Sequence, residues 1–426
     1  MSIEDVLGKT NKELTAMSGK KDKKTKIPLF SFGHEKPSTA DHEGSGDPRL
    51  FIPSGITMLD CCLGGGLPMG RITELYSDNE SEGKTTLALT FAKAVLDIGG
   101  AVIWLESESA IDKPRAKLMG IDLTKMVIWT PDSLEDGFRF IDKIVRNIAT
   151  DKDLQGKPTL IVWDTISMAR TEAERDGDAF RDGIGAAPRA ISTALKNYAQ
   201  EFVHFNVHLL LVNQSYTRIG ASKYEPQFET HGGKRIKFAS TIRMHLRRAG
   251  AIGDKYSLSA TDEKTGIVCR VTTVKNKIAL PQRKVELALY GKTGLSDVMT
   301  MAYTFLGGVE GVKWPEGLWS PSRGRYQAIG MDRSVYWQDL ETAVLESPET
   351  LKLWRERVTE MFPVHPSRQR NAEGWYERVS GEYDDSAFAK SVSIPSLSEG
   401  FVPPPQKSAA DILEQVTGKK KPKATK

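Results

Sequence analysis

The stretch "ELYSDNESEGKTT", residues 74–86, decides the fold. It completes the strand pattern "RITELY" (71–76) and leads into "TTLALTFAKAVL" (85–96), which has helical periodicity. A strand, a turn that ends in Gly-Lys-Thr and a helix are typical of loops whose backbone N–H groups bind nucleotide phosphates. The loop is unusual because Asp78 stands where such loops have their opening glycine.

Two interpretations of this loop are open, a working nucleotide site or a chance Gly-Lys-Thr at a helix start. Asp78 and Asn79 belong to residue types that tolerate left-handed backbone, so the missing glycine does not exclude a site. The carboxylates of Glu80 and Glu82 would repel a triphosphate unless they point outward or pair with a cation. The loop residues that we predict to bind nucleotide are Asp78, Asn79, Glu80, Ser81, Glu82, Gly83, Lys84, Thr85 and Thr86.

Acidic side chains follow two further apolar runs. Asp164 ends "TLIVWD", and Glu106 and Glu108 follow "AVIWL". Each could be a solvated strand end, but ligands of open α/β sheets bind where the carboxyl ends of parallel strands meet. There, Lys84 would reach the β- and γ-phosphates, and the Thr85 hydroxyl and Asp164 would bind Mg²⁺. Since a glutamate at this edge can deprotonate an attacking water, the combination favours an ATPase.

The composition is that of an ordinary soluble globular protein. The 426 residues are 39% hydrophobic and 27% charged, and the formal net charge of +4 is too small to indicate nucleic-acid binding by itself. Of the three cysteines, Cys61 and Cys62 are adjacent and pair poorly, which indicates thiols and a reducing compartment. We find neither a membrane-spanning apolar run nor a signal-peptide pattern, and we expect a cytoplasmic protein.

The order of patterns along the chain predicts an α/β fold. The runs at 101–105, 159–163 and 207–212 are unbroken and apolar, as in parallel strands buried on both faces. Helical patterns at 84–97 and 133–149 alternate with them, which predicts a mostly parallel central sheet. A further helix is predicted near 347–362.

We divide the chain into four parts. Residues 1–49 form an N-terminal arm and linker that we expect to dock on another subunit, and residues 50–297 form the ATPase and DNA-binding core. Residues 298–362 form a small C-terminal domain, and residues 363–426 a flexible tail with a basic end. The helix predicted at 408–416 could dock on a partner or be a transient free helix.

Two glycine-rich segments, 174–190 and 215–235, follow core strands and mix cations with aromatic residues. Both could be ordinary mobile surface loops. Alternatively, their cations would neutralise DNA phosphates, and Tyr224 or Phe228 would stack on bases or wedge between them. The DNA-binding residues predicted in the second segment are Arg218, Tyr224, Phe228, Lys234 and Arg235.

Seven segments resemble, in order and with similar spacing, the RecA-like DNA strand-exchange recombinases of bacteria. They are "GLPMGRITELY", "EGKTTL", "LESESAID", "LLLVNQ", "GGKRIKFAS", "IRMHLRRAGAI" and "VKNKIALP". The resemblance covers about residues 50–300 and continues more weakly to about 362. The N-terminal "LTA…TKIP" is similar to phage recombinases of the UvsX type. The resemblance implies a P-loop NTPase core of the RecA type, with an oligomerisation arm and a small C-terminal region.

The resemblance also implies roles for single residues of the core. Glu108 resembles the catalytic base and Asp164 the magnesium-associated acid. Gln214 resembles the glutamine that senses the γ-phosphate and opens the second DNA-binding loop, and Arg189 resembles a phosphate-contacting arginine of the first loop. Arg115 stands where the family stacks a tyrosine on adenine, and an arginine plane can stack too.

Three residues resemble the family's subunit interface. Lys275 and Lys277 alternate along a strand-like segment and so share a face, which could be a solvated edge. They match a lysine pair that reaches the ATP of the neighbouring subunit. Phe238 resembles an aromatic residue that relays nucleotide state between subunits.

The function implied by the resemblance is ATP-dependent homologous recombination. We expect ATP and Mg²⁺ as cofactors, a helical homo-oligomeric filament on single-stranded DNA, and pairing with homologous duplex DNA. Single-strand-binding or mediator proteins are further possible partners. Two alternatives stay open: a hexameric helicase motor on the same core, and a recombination mediator or filament protein with weak hydrolysis.

Overall fold

The structure, a computed structural model, describes residues 48, 50–108, 111–151, 157–177, 185–218, 228–253, 264–307, 325–327, 329–361, 368–370 and 376–378. Nearly all of the arm predicted at 1–49 lies outside the described residues. The same holds for most of the tail predicted at 363–426, including the helix predicted at 408–416.

The elements are numbered along the chain. The strands are β1 (Leu50–Ile52), β2 (Leu67–Pro68), β3 (Ile72–Ser77), β4 (Ala101–Glu106), β5 (Met126–Trp129), β6 (Thr159–Asp164), β7 (Val207–Thr217), β8 (Phe228–Thr230), β9 (Ile242–Gly253), β10 (Lys264–Asn276), β11 (Lys284–Tyr290), β12 (Gly294–Ser296), β13 (Arg325–Tyr326), β14 (Val335–Tyr336), β15 (Arg368–Arg370) and β16 (Tyr376–Arg378). The α-helices are α1 (Thr57–Leu63), α2 (Lys84–Asp97), α3 (Lys113–Leu118), α4 (Leu134–Thr150), α5 (Glu172–Arg175), α6 (Ala186–Phe205), α7 (Lys234–Ala239), α8 (Asp297–Gly307), α9 (Leu340–Leu345) and α10 (Pro348–Met361). Among the helices of the described residues, none combines the length and the apolar character needed to cross a membrane.

One large sheet organises the core, in the strand order β12-β11-β10-β9-β3-β7-β6-β4-β5, with β8 paired to β7. The strands from β9 to β5 in this order run parallel to their neighbours. The strands from β9 to β12 continue the sheet as an antiparallel ribbon. The predicted α/β fold with a mostly parallel central sheet is therefore confirmed.

Helices cover both faces of the parallel strands, which explains the unbroken apolar runs. On one face Trp104 of β4 packs in a cluster with Phe91 of α2. On the other face Trp163 of β6 packs with Phe138 of α4, at 5.0 Å between ring centroids, and with Phe202 of α6. Because successive strand residues point to opposite faces, both faces of these strands carry apolar residues.

The parallel register brings the polar strand ends to one edge of the sheet. Ser77, the last residue of β3, lies opposite Gln214 of β7. Glu106, the last residue of β4, lies opposite Asp164, the last residue of β6. The phosphate loop begins at this edge, and the second glycine-rich segment begins there directly after Gln214.

The C-terminal helices share the core of the sheet. Trp354 and Val358 of α10 belong to the same buried cluster as Leu59 of α1 and Val285 of β11. Trp354 also meets Phe305 of α8 edge-on, at 4.9 Å between ring centroids. A domain boundary at 297/298 stays a prediction, and the described residues on its two sides form one continuous hydrophobic cluster.

Part of the tail that we expected to be flexible contains two strands instead. β16 pairs with β1, with Tyr376 opposite Phe51, and β15 pairs with β16. The guanidinium of Arg368 lies over the Phe51 ring and donates to the carbonyl oxygens of Gly64, at 2.6 Å, and Ile278, at 2.8 Å. Strands of three residues are too short to show a periodic pattern, so the sequence did not predict them.

Candidate nucleotide and DNA-binding site

The predicted phosphate loop is the turn between β3 and α2. Gly83, the residue before α2, has left-handed backbone with a φ of 94°, and Ser81 has a φ of 56°. A Cβ atom at Gly83 would lie 2.6 Å from Leu289 Cδ1, the end of a flexible side chain, so it is the left-handed backbone that favours glycine there. Asp78 is not left-handed. The loop therefore does not need glycine at its first position.

The ammonium group of Lys84 lies within this loop. Its Nζ donates to Ser77 Oγ at 2.6 Å and to the Asn79 carbonyl oxygen at 3.3 Å. Burial lowers the pKa of Lys84, and the nearby carboxylates of Asp164 and Glu108 oppose that effect. A half-buried cation in a loop of this kind is placed to neutralise phosphate charge.

Thr85 and Asp164 meet at the start of α2. The Thr85 hydroxyl donates to Asp164 Oδ2 at 2.8 Å, and burial raises the pKa of Asp164 from 3.8 to about 6. The described residues contain no cluster of three or more His, Cys, Asp or Glu that could hold a metal. Mg²⁺ keeps several waters and needs only one or two protein oxygens beside phosphate, so this pair fits the predicted site. Thr86, the next residue, is buried within α2.

The glutamate pair after β4 has two different environments. Glu108 Oε1 accepts from Gln214 Nε2 at 3.0 Å. Burial raises the pKa of Glu108, whereas the Lys84 cation lowers it. Glu106 instead accepts from the backbone N–H of Ile111 at 2.6 Å. Only Glu108 therefore contacts another of the predicted catalytic residues.

The remaining carboxylates of the loop are not directed at one another. Glu82 is buried, and its oxygens accept from the backbone N–H of Arg248 at 3.3 Å and from Asn79. Glu80 is exposed. Glu80 therefore meets the condition that it point outward, whereas Glu82 is buried and its oxygens accept from N–H donors rather than from a cation.

The second glycine-rich segment is more ordered at its ends than we predicted. β7 continues to Thr217 and β8 begins at Phe228, and these two residues pair in an antiparallel hairpin. The prediction of a loop over 215–235 was wrong at its ends. The segments "SYT" (215–217) and "FET" (228–230) have strand propensity, but the glycine and charged residues between and after them dominate the composition. Phe228 is 46% exposed at the hairpin, and Tyr224 lies outside the described residues.

The predicted DNA-binding cations lie on three elements around that hairpin. Arg218 follows β7 directly and is exposed. Lys234 and Arg235 begin α7 rather than extend the loop. Arg189 is exposed on the first turn of α6. We had predicted that the first loop extends past Arg189, but the loop ends before this residue. α6 begins there because Gly185 provides a left-handed residue before its first turn.

Lys275, Lys277 and Phe238 lie at the other edge of the sheet. Lys275 Nζ donates to the carbonyl oxygens of Lys237, at 2.6 Å, and Phe238, at 3.1 Å, at the end of α7. Burial lowers the pKa of Lys275 to about 8, and the nearby Lys277 acts in the same direction. Phe238 is 68% exposed. The structure thus brings the lysine pair next to the predicted interface aromatic residue.

Arg115 lies on α3, close after β4. Asp112 caps this helix, accepting from the Arg115 backbone N–H at 3.0 Å. The Arg115 Nε atom is buried and has no hydrogen-bond partner among the described residues. No contact in the described part of the chain joins Arg115 to the phosphate loop, so its place beside a base stays a prediction.

A buried polar network beneath the site was not predicted. The Glu74 carboxylate, with no solvent exposure, accepts from Arg243 Nε and from Asn213 Nδ2, the latter at 2.9 Å. Asn213 also donates to the His231 carbonyl oxygen, and Arg243 to Thr230 Oγ1. The sequence feature that could have indicated this network is Glu74, a charged residue in the middle of the buried strand β3.

The sequence matches the RecA N-terminal domain family over residues 46–296. It is similar to the protein RecA of Thermus aquaticus, with 30% identity over 317 residues that cover 74% of this chain and 86% of that protein. The protein RecA of Francisella tularensis subsp. novicida is also 30% identical, over 315 residues that cover 72% of this chain and 82% of that protein. The matched region contains the whole edge at which Lys84, Asp164 and Glu108 meet, and the chain belongs to the RecA family.

Proposed function

We propose that this member of the RecA family is an ATP-dependent recombinase that polymerises on single-stranded DNA and catalyses homologous pairing and strand exchange. Family membership supports a recombinase function. The convergence of Lys84, Thr85, Asp164, Glu108 and Gln214 at one sheet edge carries the proposal. This set provides a cation for phosphate, oxygen ligands for Mg²⁺, a base and a polar group that contacts the base.

Each residue of this edge has a part in hydrolysis. ATP bound with Mg²⁺ supplies the phosphoryl group that is transferred to water. Lys84 would neutralise phosphate charge, and the oxygens of Thr85 and Asp164 would hold Mg²⁺. Glu108 takes the proton of the attacking water, and its raised pKa makes it a stronger base. Gln214 holds the Glu108 carboxylate through its 3.0 Å hydrogen bond.

The same strand that ends in Gln214 leads to the proposed DNA-binding hairpin. Phe228 is exposed there and would stack on a base, and Tyr224 is the other candidate for that role. The cations that would neutralise phosphates are Arg189, Arg218, Lys234 and Arg235. A short continuous path of backbone therefore joins the nucleotide site to the DNA site.

The position of the lysine pair supports a site shared between subunits. The Lys277 N–H donates to Thr241 O, and the Thr241 N–H donates to Ile72 O, the first residue of β3. The phosphate loop follows Ser77 at the other end of β3, about 16 Å away at the rise of a strand. Lys275 and Lys277 therefore lie far from the phosphate loop of their own chain. Opposite a neighbour's loop, in a helical filament, they would neutralise transferred charge.

A second candidate function is a recombination mediator or filament protein with weak hydrolysis. The observation that favours it is Asp78 in place of the opening glycine. Such a protein would bind single-stranded DNA and nucleotide but release little phosphate. Single-strand-binding or mediator proteins would be loading partners in either case.

Phosphate release with and without single-stranded DNA tests the proposal. Wild type should hydrolyse ATP and accelerate with DNA, and Lys84→Ala should abolish this activity. Lys93→Ala is the matched control, because Lys93 lies on the same helix in an exposed ion pair with Asp97. Strand exchange is then measured with homologous and heterologous duplexes.

Three outcomes separate the candidates. Homology-dependent exchange with DNA-stimulated hydrolysis supports the recombinase. DNA binding without appreciable hydrolysis supports the mediator. Unwinding that does not depend on homology supports a helicase, and wild-type hydrolysis in Lys84→Ala would show that the assigned nucleotide site is wrong.

A further inference from the structure

The carboxylate of Asp78 is directed toward the strands on both sides of β3. Its Oδ1 accepts from Ser215 Oγ at 2.6 Å and lies 3.1 Å from His245 Nε2. Its Oδ2 lies 3.4 Å from Arg247 Nε. The Asp78 side chain is 9% exposed. Among the described residues only the Ser215 hydroxyl donates a hydrogen bond to this nearly buried carboxylate, since neither Asp78 Oδ2 nor His245 Nε2 has a hydrogen-bond partner there.

These contacts begin where the backbone pairing of β3 ends. β3 pairs with both β7 and β9, and both ladders end at Ser77. Asp78 is the next residue, and Ser215 of β7 and Arg247 of β9 directly follow the residues that pair with Ser77. Ser215 Oγ also lies 3.3 Å from the Ser77 carbonyl oxygen. The carboxylate therefore joins three strands one residue beyond their shared hydrogen bonds.

His245 is itself held against β3. Its ring stacks on Tyr76, with ring centroids 4.8 Å apart and planes inclined by 13°. The Arg243 guanidinium lies over the same Tyr76 ring, 4.9 Å from its centroid. On the side of β9, Asp78 thus faces the packed His245 ring and the Arg247 side chain, which is 63% exposed.

Ser215 is the point at which this cluster meets the DNA-binding hairpin. It follows Gln214, and it pairs with Thr230 of the returning strand β8. Two residues further on, Thr217 pairs with Phe228. The Asp78–Ser215 hydrogen bond is a second connection between the nucleotide site and the hairpin, separate from the contact between Gln214 and Glu108.

A glycine at position 78 could make none of these side-chain contacts. We infer that Asp78 is a positioning residue that couples the phosphate loop to the DNA-binding hairpin through Ser215, so that nucleotide and single-stranded DNA raise each other's affinity. This inference rests on the proposed function. Such coupling is reciprocal, so either ligand can report it.

The test measures the dissociation constant for a labelled oligothymidylate twice, without nucleotide and with a saturating non-hydrolysable ATP analogue. The coupling ratio is the first dissociation constant divided by the second. A hydrogen bond to a charged group changes an equilibrium by about tenfold or more. Asp78→Gly, which restores the usual glycine, and Ser215→Ala should therefore each lower the ratio by about tenfold, or to one if it starts lower. Ser215→Ala leaves the phosphate loop itself unchanged, so its affinity for the analogue without DNA should stay that of wild type, as a purely structural defect would not allow.

Two further variants sharpen the test. The double variant Asp78→Gly/Ser215→Ala should lower the ratio no more than either single variant, because both remove one interaction. Ser347→Ala is the matched control, since it removes a half-buried serine hydroxyl that donates to Thr350 Oγ1 at 2.9 Å in the C-terminal region. It should keep the wild-type ratio.

A wild-type ratio in both Asp78→Gly and Ser215→Ala would overturn the inference. Weakened analogue binding without DNA in Ser215→Ala would also overturn it, because the hydrogen bond to Asp78 would then serve the phosphate loop itself. A ratio of one in the wild-type chain would overturn the proposed function and the inference with it. Failure of the proposed function is seen in the wild-type chain alone, whereas failure of the inference alone is seen only in the variants. The two failures can therefore be distinguished.

Discussion

Replacement of Arg243 by methionine should destabilise the fold strongly. The Glu74 carboxylate has no solvent exposure, and Arg243 is its only ion-pair partner among the described residues, with a side chain that is 11% exposed. Without the guanidinium, the carboxylate would keep only the Asn213 amide as a donor. Removal of one member of a buried ion pair costs about 3–5 kcal/mol, because it leaves an uncompensated buried charge.

Two variants calibrate that magnitude. Arg270→Met removes the same side chain from an exposed strand pair with Glu286, whose members are 40% and 27% exposed, and should cost about 1 kcal/mol or less. The double variant Glu74→Gln/Arg243→Met removes both charges and leaves an amide that Asn213 can still contact. It should therefore be more stable than Arg243→Met alone.

Urea unfolding measures these differences. Fluorescence of the buried Trp104 and Trp163 reports loss of the core, and the free energies follow from linear extrapolation. Nucleotide and DNA are left out, since ligands that bind the folded state would mask part of the loss. Equal destabilisation by Arg243→Met and Arg270→Met would refute the reasoning, because burial would then make no difference to the ion pair.

Three further predictions concern pH, DNA and the shared site. Burial raises the pKa of Asp60 from 3.8 to about 7, so the folded state favours the protonated carboxyl. The contribution of Asp60 to the free energy of unfolding is therefore complete below about pH 4 and is lost as the pH rises through 7. Relative to Asp60→Asn, the free energy of unfolding of wild type should fall by on the order of 4 kcal/mol between these limits, and parallel pH profiles would contradict this. Phe228→Ala should weaken binding of single-stranded DNA by about 1–3 kcal/mol at every salt concentration, without changing the salt slope, and unchanged titrations would rule out its stacking role. Glu108→Gln and the double variant Lys275→Ala/Lys277→Ala should each be nearly inactive, and mixing them should restore DNA-dependent hydrolysis in filaments that contain both. Failure of any mixture that co-assembles to restore activity would argue against the shared site.

The features that the sequence predicted are those that depend on local pattern. Unbroken apolar runs identified the buried parallel strands, and parallel strands necessarily bring their carboxyl ends to one edge. Lys84, Asp164 and Glu108 could therefore be placed together before any register was known. The family resemblance implied separate roles for Glu108 and Gln214, whereas the hydrogen bond between them is a finding of the structure.

The features that the sequence did not predict depend on register between distant segments. Arg243 and Glu74 are 169 residues apart in the chain, and nothing local to either residue indicates the other. The same holds for Asp78, whose partner Ser215 is 137 residues away. The tolerance of aspartate for left-handed backbone is not used at Asp78, because its backbone is not left-handed, and its side-chain contacts were not predicted.

The pairing of β16 with β1 has a consequence for shortened chains. β1 has buried residues throughout, with β2 on one side and β16 on the other. A chain that ends after residue 361 would leave one side of β1 with unpaired N–H and C=O groups beside the apolar ring of Phe51. Open strand edges of this kind promote association between molecules and precipitation. A cut after residue 378 would keep that edge closed, so the two truncations should differ in solubility even where their hydrolysis rates agree.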